Sequence, residues 1–261
     1  MSASTREKST PDTGQQIGMY VYGIVPGDVK LNSGVHGVGE PPGEIRLVRS
    51  GDLAALVSEV DITKPLGTPE DLQAHVDILD AVISDTPVLP SRFGAVLNSE
   101  DAVAEELLDA NHDEFAGALA QLEGRAEYVV RGRYAEQAIM EEILSGNSKA
   151  ARLRDRIHGA DPDATRELRI QLGEIVNNTV VNKRQADTRL LVSAMKDHCV
   201  ASGVRVATNE LDAVYVAFLV EAGQAGELER VVTELSDRWQ GRVELQVRGP
   251  MAPYDFVGDG A

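Results

Sequence analysis

The chain has one cysteine, Cys199, among its 261 residues. That excludes an intramolecular disulfide and any cysteine-built zinc cage, and it is compatible with a reducing cytoplasm. Aromatic residues make up only 4%, with a single Trp. The cores must therefore rest on Leu, Val, Ile and Ala. No window approaches the roughly 18 consecutive apolar residues of a membrane span. Basic residues are the minority charge, 25 against 42 acidic, which leaves a net charge of −17. Such a field repels phosphate backbones and anionic lipid surfaces, so neither nucleic acid nor membrane is an expected partner.

What is present is ordinary for a folded protein, with 43% apolar and 26% charged residues. The length suits two domains better than one. Residues 1–18 are polar, lack the apolar stretch of a signal peptide, and read as a disordered tail. Order is expected from the apolar run Met19–Val25, followed by a Gly-rich loop from Gly34 to Gly43. Glu44–Val48 and Leu53–Val60 read as two strands around the turn Ser50-Gly51-Asp52. Thr68 as N-cap, Pro69 and Asp71 mark a helix start, with Leu72, Val76, Leu79 and Ile83 as its apolar stripe. A second amphipathic helix is expected from about Ser99 to Leu122, with Val103, Leu108, Phe115, Leu119 and Leu122 inward.

Gly124 ends that helix, and Glu127–Arg133 alternate as a strand does. Helices follow over Ala135–Leu144 and from Asp161-Pro162 onward, the latter carrying Leu168, Leu172, Ile175 and Val176 and continuing through Leu190, Leu191, Ala194 and His198. Ser202-Gly203 should stop the run. Strands Val204–Ala207 and Ala213–Val220, a helix bearing Leu228, Val231, Val232, Leu235 and Trp239, and a last strand around Val243, Leu245 and Val247 complete the pattern. The fold class is thus α+β with two domains. Residues 19–124 form a small N-terminal α+β unit. Residues 125–261 form a ferredoxin-like βαββαβ domain with an enlarged first helical connection and a Pro-rich tail.

Candidate chemistry is sparse. His75 has no second His or Cys at metal-ligand spacing and reads as a hydrogen-bonded structural histidine. In Pro90-Ser91-Arg92-Phe93-Gly94, Arg92 could clamp a phosphate or carboxylate. The favoured reading makes Pro90 and Gly94 shape a turn, Phe93 plug a core and Arg92 pair with an acidic helix. Glu105-Glu106 and Glu141-Glu142 are neighbours in sequence, about 100° apart on a helix, and read as solvated faces. Cys199 reads as a small core residue. The closing segment Gly249–Phe256 should run extended, since each Pro fixes φ, and fold back on its own sheet. No catalytic residue, metal site or cofactor is expected. A small-molecule-binding or catalytic ferredoxin-like protein, using His75 with Arg92, is the alternative.

Several of these segments recur in order in a known family. Tyr20-Val21-Tyr22-Gly23-Ile24-Val25, Leu53–Ser58, the His75 helix, Val88-Leu89-Pro90-Ser91-Arg92-Phe93-Gly94, and the closing Gly249-Pro250 with Pro253-Tyr254-Asp255-Phe256 resemble the GvpF/GvpL gas vesicle proteins. The resemblance spans about residues 19–257. Met251 and Ala252 depart from it, standing where the family carries Trp-Pro. It implies a two-domain α+β protein and a non-enzymatic accessory or minor structural role in gas vesicles. It also implies that the protein binds the shell protein GvpA, alongside other accessory proteins, and aids nucleation or prevents premature aggregation. Location would be cytoplasmic, on or near the vesicle. Under it, His75, Pro90, Arg92, Phe93, Gly94, Gly249, Pro250, Pro253, Tyr254 and Phe256 are family-motif positions, read here as structural.

Overall fold

The computed structural model describes residues 16–31, 36–83 and 86–257. The expected N-terminal tail lies, up to residue 15, outside the described residues, as do residues 34 and 35 of the Gly-rich loop. The chain divides into two compact units. One runs to Val82 and resumes over Pro90–Leu119; the other comprises Ile83–Leu89 and the chain from Ala120.

The first unit is built on a five-stranded sheet of order β2-β3-β1-β4, with β5 also on β1. The strands are β1 (Ile17–Pro26), β2 (Arg46–Ser50), β3 (Leu53–Asp61), β4 (Leu89–Pro90) and β5 (Val96–Leu97). β3 is apolar without interruption from Leu53 to Val57 and is buried throughout that stretch, as befits a strand flanked on both edges. The β2–β3 hairpin closes through Gly51-Asp52, with Ser50 opposite Leu53 and Gly51 at φ +58°. That positive φ suits a tight two-residue turn. β2 therefore begins two residues later than the sequence suggested, and Glu44 makes only an isolated bridge with His36.

Helix α1 (Pro69–Ile83) starts as expected. Asp71 N–H donates to Thr68 Oγ1 and Thr68 N–H to Asp71 Oδ2, both at 3.1 Å, a reciprocal capping box. Its buried face is rotated from the expected one. Asp71, His75, Ile78, Leu79 and Ile83 are buried, while Leu72 is 48% exposed. Asp71 sets this phase, because its carboxylate also accepts the N–H groups of Gly39 and Gly67. The next helix is not continuous. A turn α2 (Glu100–Ala102), capped by Ser99, passes into a π-helical segment Val103–Asp109, and α3 (His112–Leu122) follows. Val103 and Leu108 lie five residues apart and both are buried. The wider π turn is what brings an i, i+5 pair onto one face.

The second unit is a four-stranded sheet of order β7-β8-β6-β9, antiparallel at every pairing. β6 (Arg125–Tyr134) leads into α4 (Glu136–Gly146), α5 (Ser148–Ile157) and the long α6 (Arg166–Met195). β7 (Ala201–Val204), β8 (Asp212–Glu221), α7 (Ala225–Arg238) and β9 (Val243–Met251) complete it. Each helical connection thus joins two strands that flank a third. The core gathers Tyr128, Val130, Tyr134, Ile139, Ile143, Leu191, Met195, Val214, Val216, Phe218, Leu228, Leu235 and Trp239, with Cys199 packed at its border. Burial of each large side chain stabilises by about 1.5–3 kcal/mol.

Four expectations are corrected here. α6 begins at Arg166, because Asp161 caps a preceding turn through the N–H groups of Asp163 and Ala164. Leu190 is exposed and His198 lies beyond the helix. β7 runs through Ser202-Gly203, which pair with Phe218 and Ala217, instead of starting after them. β9 extends through Gly249-Pro250 to Met251, so the closing segment is partly strand, and Tyr254–Phe256 then form a 3-10 turn where an extended tail was expected.

Candidate functional site

The motif positions gather in two places, one in each unit. In the first unit, Tyr20 and Tyr22 stand on β1 with their hydroxyls buried. Tyr20 Oη lies 2.9 Å from His75 Nδ1 and accepts the N–H of Gly94 at 3.1 Å. Tyr22 Oη pairs with Ser58 Oγ at 2.8 Å and accepts the N–H of Val38. Phe93 packs edge-on against both Tyr20 and His75, with ring centroids within 5.9 Å. Burial holds the His75 imidazole down at about 4, so it is neutral at pH 7. The same burial pushes Tyr20 up to about 12. Pro90 is buried in β4, Ser91 N–H donates to Tyr22 O at 2.8 Å, and Gly94 turns the chain at φ +88°. Within Pro90–Gly94 the exposed residues are Arg92 and Gly94. The segment is stitched to β1 by its backbone, and its one cation faces outward.

In the second unit the closing motif docks on a buried carboxylate. Glu127 on β6 is fully buried; its Oε1 accepts from Arg205 Nη2 at 2.6 Å and its Oε2 from the Asp255 N–H at 3.0 Å. Arg205 also donates from Nε to Asp255 Oδ2 at 2.6 Å and from Nη1 to Tyr215 Oη at 3.2 Å. Burial pushes the Glu127 carboxyl up to about 7, the Arg205 charge notwithstanding. Arg131 reaches the same Tyr215 ring, its guanidinium carbon 5.2 Å from the centroid, and is anchored to Asp212 at 3.0 Å.

Gly249 sits at φ +139°, and a Cβ there would lie 2.7 Å from the Tyr128 ring and 2.8 Å from Glu127 O. Only glycine lets β9 approach β6 so closely. Pro250 is exposed, Ala252 and Pro253 are buried, and Tyr254 and Phe256 are half-buried in the 3-10 turn. Met251 is half-buried.

The outer strand of this sheet is open on one face. Pairing with β8 continues in register past Val204, through Arg205 N–H to Tyr215 O at 2.8 Å, while at the other end Val200 N–H reaches Leu219 O, the partner of Ala201, also at 2.8 Å. Strand alternation puts Val204 and Arg205 on opposite faces, and Val206 on the side of Val204 if the alternation is carried past the strand end. Val204 is 64% and Val206 86% exposed. Elsewhere, a cleft of about 660 Å3 is lined by Tyr134, Glu136, Asp237, Gln240 and Glu244. Arg242 makes a two-pronged contact with the buried Asp187, which also accepts from Tyr134 Oη at 2.6 Å. Among the described residues no group of three or more His, Cys, Asp or Glu could hold a metal ion. No helix among them is long and apolar enough to cross a membrane.

The sequence alone missed Glu127, Arg205, Asp187 and Arg242. A carboxylate in an alternating strand looks like any outward-facing one, and its partners lie 78 and 128 residues away. The charged step Asp255 inside the closing motif was the one available signal.

The architecture is mixed α+β, with helices and two antiparallel sheets, and it is shared by two solved structures. These are gas vesicle protein GvpF from Microcystis aeruginosa, with TM-score 0.71, and GvpF from Anabaena sp. PCC7120, with TM-score 0.74. Each is 20% identical and covers 92% of this chain and at least 97% of its own. In sequence, the family description "Gas vesicle synthesis protein GvpL/GvpF" matches residues 18–258. Gas vesicle protein F of Streptomyces sp. (strain CB03234) is 31% identical, over 91% of this chain and 98% of its own length. Gas vesicle protein L of the same strain is 32% identical, over 92% of both. The chain belongs to the GvpL/GvpF family of gas vesicle proteins.

Proposed function

We propose that this protein is a cytoplasmic, vesicle-associated accessory or minor structural component of gas vesicle assembly. It binds the shell protein GvpA, aids nucleation, and keeps the subunit from aggregating before it is incorporated. The observation that carries this reading is the outer strand β7, whose Val204 and Val206 stand exposed beside a strand edge that is unshared among the described residues. A subunit that polymerises through apolar and β surfaces is aggregation-prone until assembled. An edge strand with an apolar stripe can pair with such a surface by strand addition, with backbone hydrogen bonds for affinity and side chains for selectivity. The net charge of −17 then keeps the complex dispersed. In the same reading the second unit is a ferredoxin-like scaffold, its closing motif locked to Glu127 and Arg205 on the face opposite the valines, which leaves the stripe uncovered.

The test is co-expression with GvpA from the same source, affinity capture and size-exclusion chromatography, with Val204→Lys/Val206→Lys as comparison. A soluble stoichiometric complex with the wild type, weakened in the variant, supports the reading. Absence of a complex when both proteins are folded and soluble overturns it.

A further inference from the structure

The opposite edge of the second sheet, β9, has a different character. Its register with β6 and the bond from Ala135 N–H to Arg242 O (2.9 Å) fix which backbone groups are used. The hydrogen-bonded pairs continue in steps of two: Arg133 with Glu244, Arg131 with Gln246, Val129 with Arg248. The N–H and C=O groups of Leu245 and Val247 therefore face away from β6, along an edge that no other strand shares among the described residues. Glu244, Gln246, Val247 and Arg248 are exposed. Glu244 and Arg248 make no ion pair among the described residues, although Arg133 stands directly across from Glu244.

We propose that β9 is a self-pairing edge whose occupant is the β9 of a second copy of this chain, about a two-fold axis through Gln246. The argument is the self-complementarity of the strand. An antiparallel pairing centred on Gln246 sets Leu245 opposite the other copy's Val247, and the reverse, as hydrogen-bonded pairs using the outward backbone groups. Glu244 then falls opposite Arg248 of the other copy, twice by symmetry, in the closer non-hydrogen-bonded positions. Shifting the axis by one residue to Val247 would put Glu244 opposite Pro250 and Arg248 opposite Gln246, leaving both charges without a counterpart. The favoured register also makes a row of alternating sign, Arg133–Glu244–Arg248, across the junction. The two sheets become one, with the helices of both copies on the same face, and β7 stays free at each outer end. This inference stands on β9 alone and does not depend on what β7 binds.

Sedimentation velocity of the full chain, from low-micromolar to near-millimolar concentration, tests it. The wild type is expected to dimerise reversibly. Glu244→Arg and Arg248→Glu, each of which turns two attractive pairs into two repulsive ones, should weaken the dimer about tenfold or more. The double variant Glu244→Arg/Arg248→Glu should restore it. Val247→Pro removes an outward N–H that β6 does not use, and it should abolish dimerisation with the circular dichroism of the monomer unchanged. A wild type that stays monomeric throughout overturns the proposal. So does a dimer that survives both single reversals, or a double variant that remains monomeric.

Discussion

Replacing Glu127 by Gln isolates the cost of a single buried charge. The side chain has no exposed surface, and its carboxyl titrates at about 7 in the folded protein against an ordinary value of 4.5. The folded state therefore holds this proton more tightly than the unfolded chain does. The resulting stabilisation is fully present below pH 4.5 and is lost as the pH rises through 7. At about 1.4 kcal/mol for each pH unit of difference, the loss between about pH 5 and about pH 8 comes to about 2–3 kcal/mol. Gln keeps an oxygen for the Asp255 N–H but has no proton to lose. Denaturant titrations read by Trp239 fluorescence report the second unit, since Trp239 is buried in its core. The wild type minus variant stability difference should fall by that amount from the lower to the higher pH. A difference that stays flat across the range would refute the claim that burial outweighs Arg205 at this site.

His75 should behave in the opposite sense. Its imidazole is held at about 4 against 6.5 unfolded, so its contribution is present above pH 6.5 and lost as the pH falls through 4; the protection of the β1 amides, taken relative to their intrinsic exchange rate at each pH, should fall with acid in the wild type and less so in His75→Gln. Gly249→Ala should destabilise by about 2 kcal/mol or more, because a Cβ there meets the Tyr128 ring and the Glu127 carbonyl at φ +139°. Gly203→Ala, with nothing within 4 Å, should fall within about 0.5 kcal/mol of wild type in the same melts. Asp187→Ala leaves Tyr134 Oη and the Arg242 guanidinium short of their buried acceptor and should cost about 3–5 kcal/mol by urea unfolding. Asp187→Asn, which can still take the Tyr134 bond, should cost less.

The parts legible in the sequence are those where one local signal dominates. The continuous apolar runs of β1, β3 and β8, the Thr68–Asp71 capping box, and the Leu228/Val231/Val232/Leu235 stripe of α7 all appear where pattern places them. The illegible parts are those where a polar group decides. α1 turns its Asp71–His75 face inward because Asp71 gathers three backbone N–H groups, which a hydrophobic pattern counts against burial. The π segment answers a five-residue spacing that an α-helix cannot place on one face. Ser202-Gly203 reads as a stop, yet Ser202 and Gly203 pair with β8 at the outer edge, where a turn former costs little. The docking of the closing motif joins Glu127, Arg205 and Asp255, residues that no local window contains.

Amide hydrogen exchange on the full chain, alone and with GvpA, tests most directly whether the β7 edge holds the shell subunit. Added protection should concentrate between Val200 and Val206, with the β6 and β8 amides already slow and little altered. A complex that forms while the exchange of these residues stays unchanged would place the shell subunit elsewhere and contradict the account.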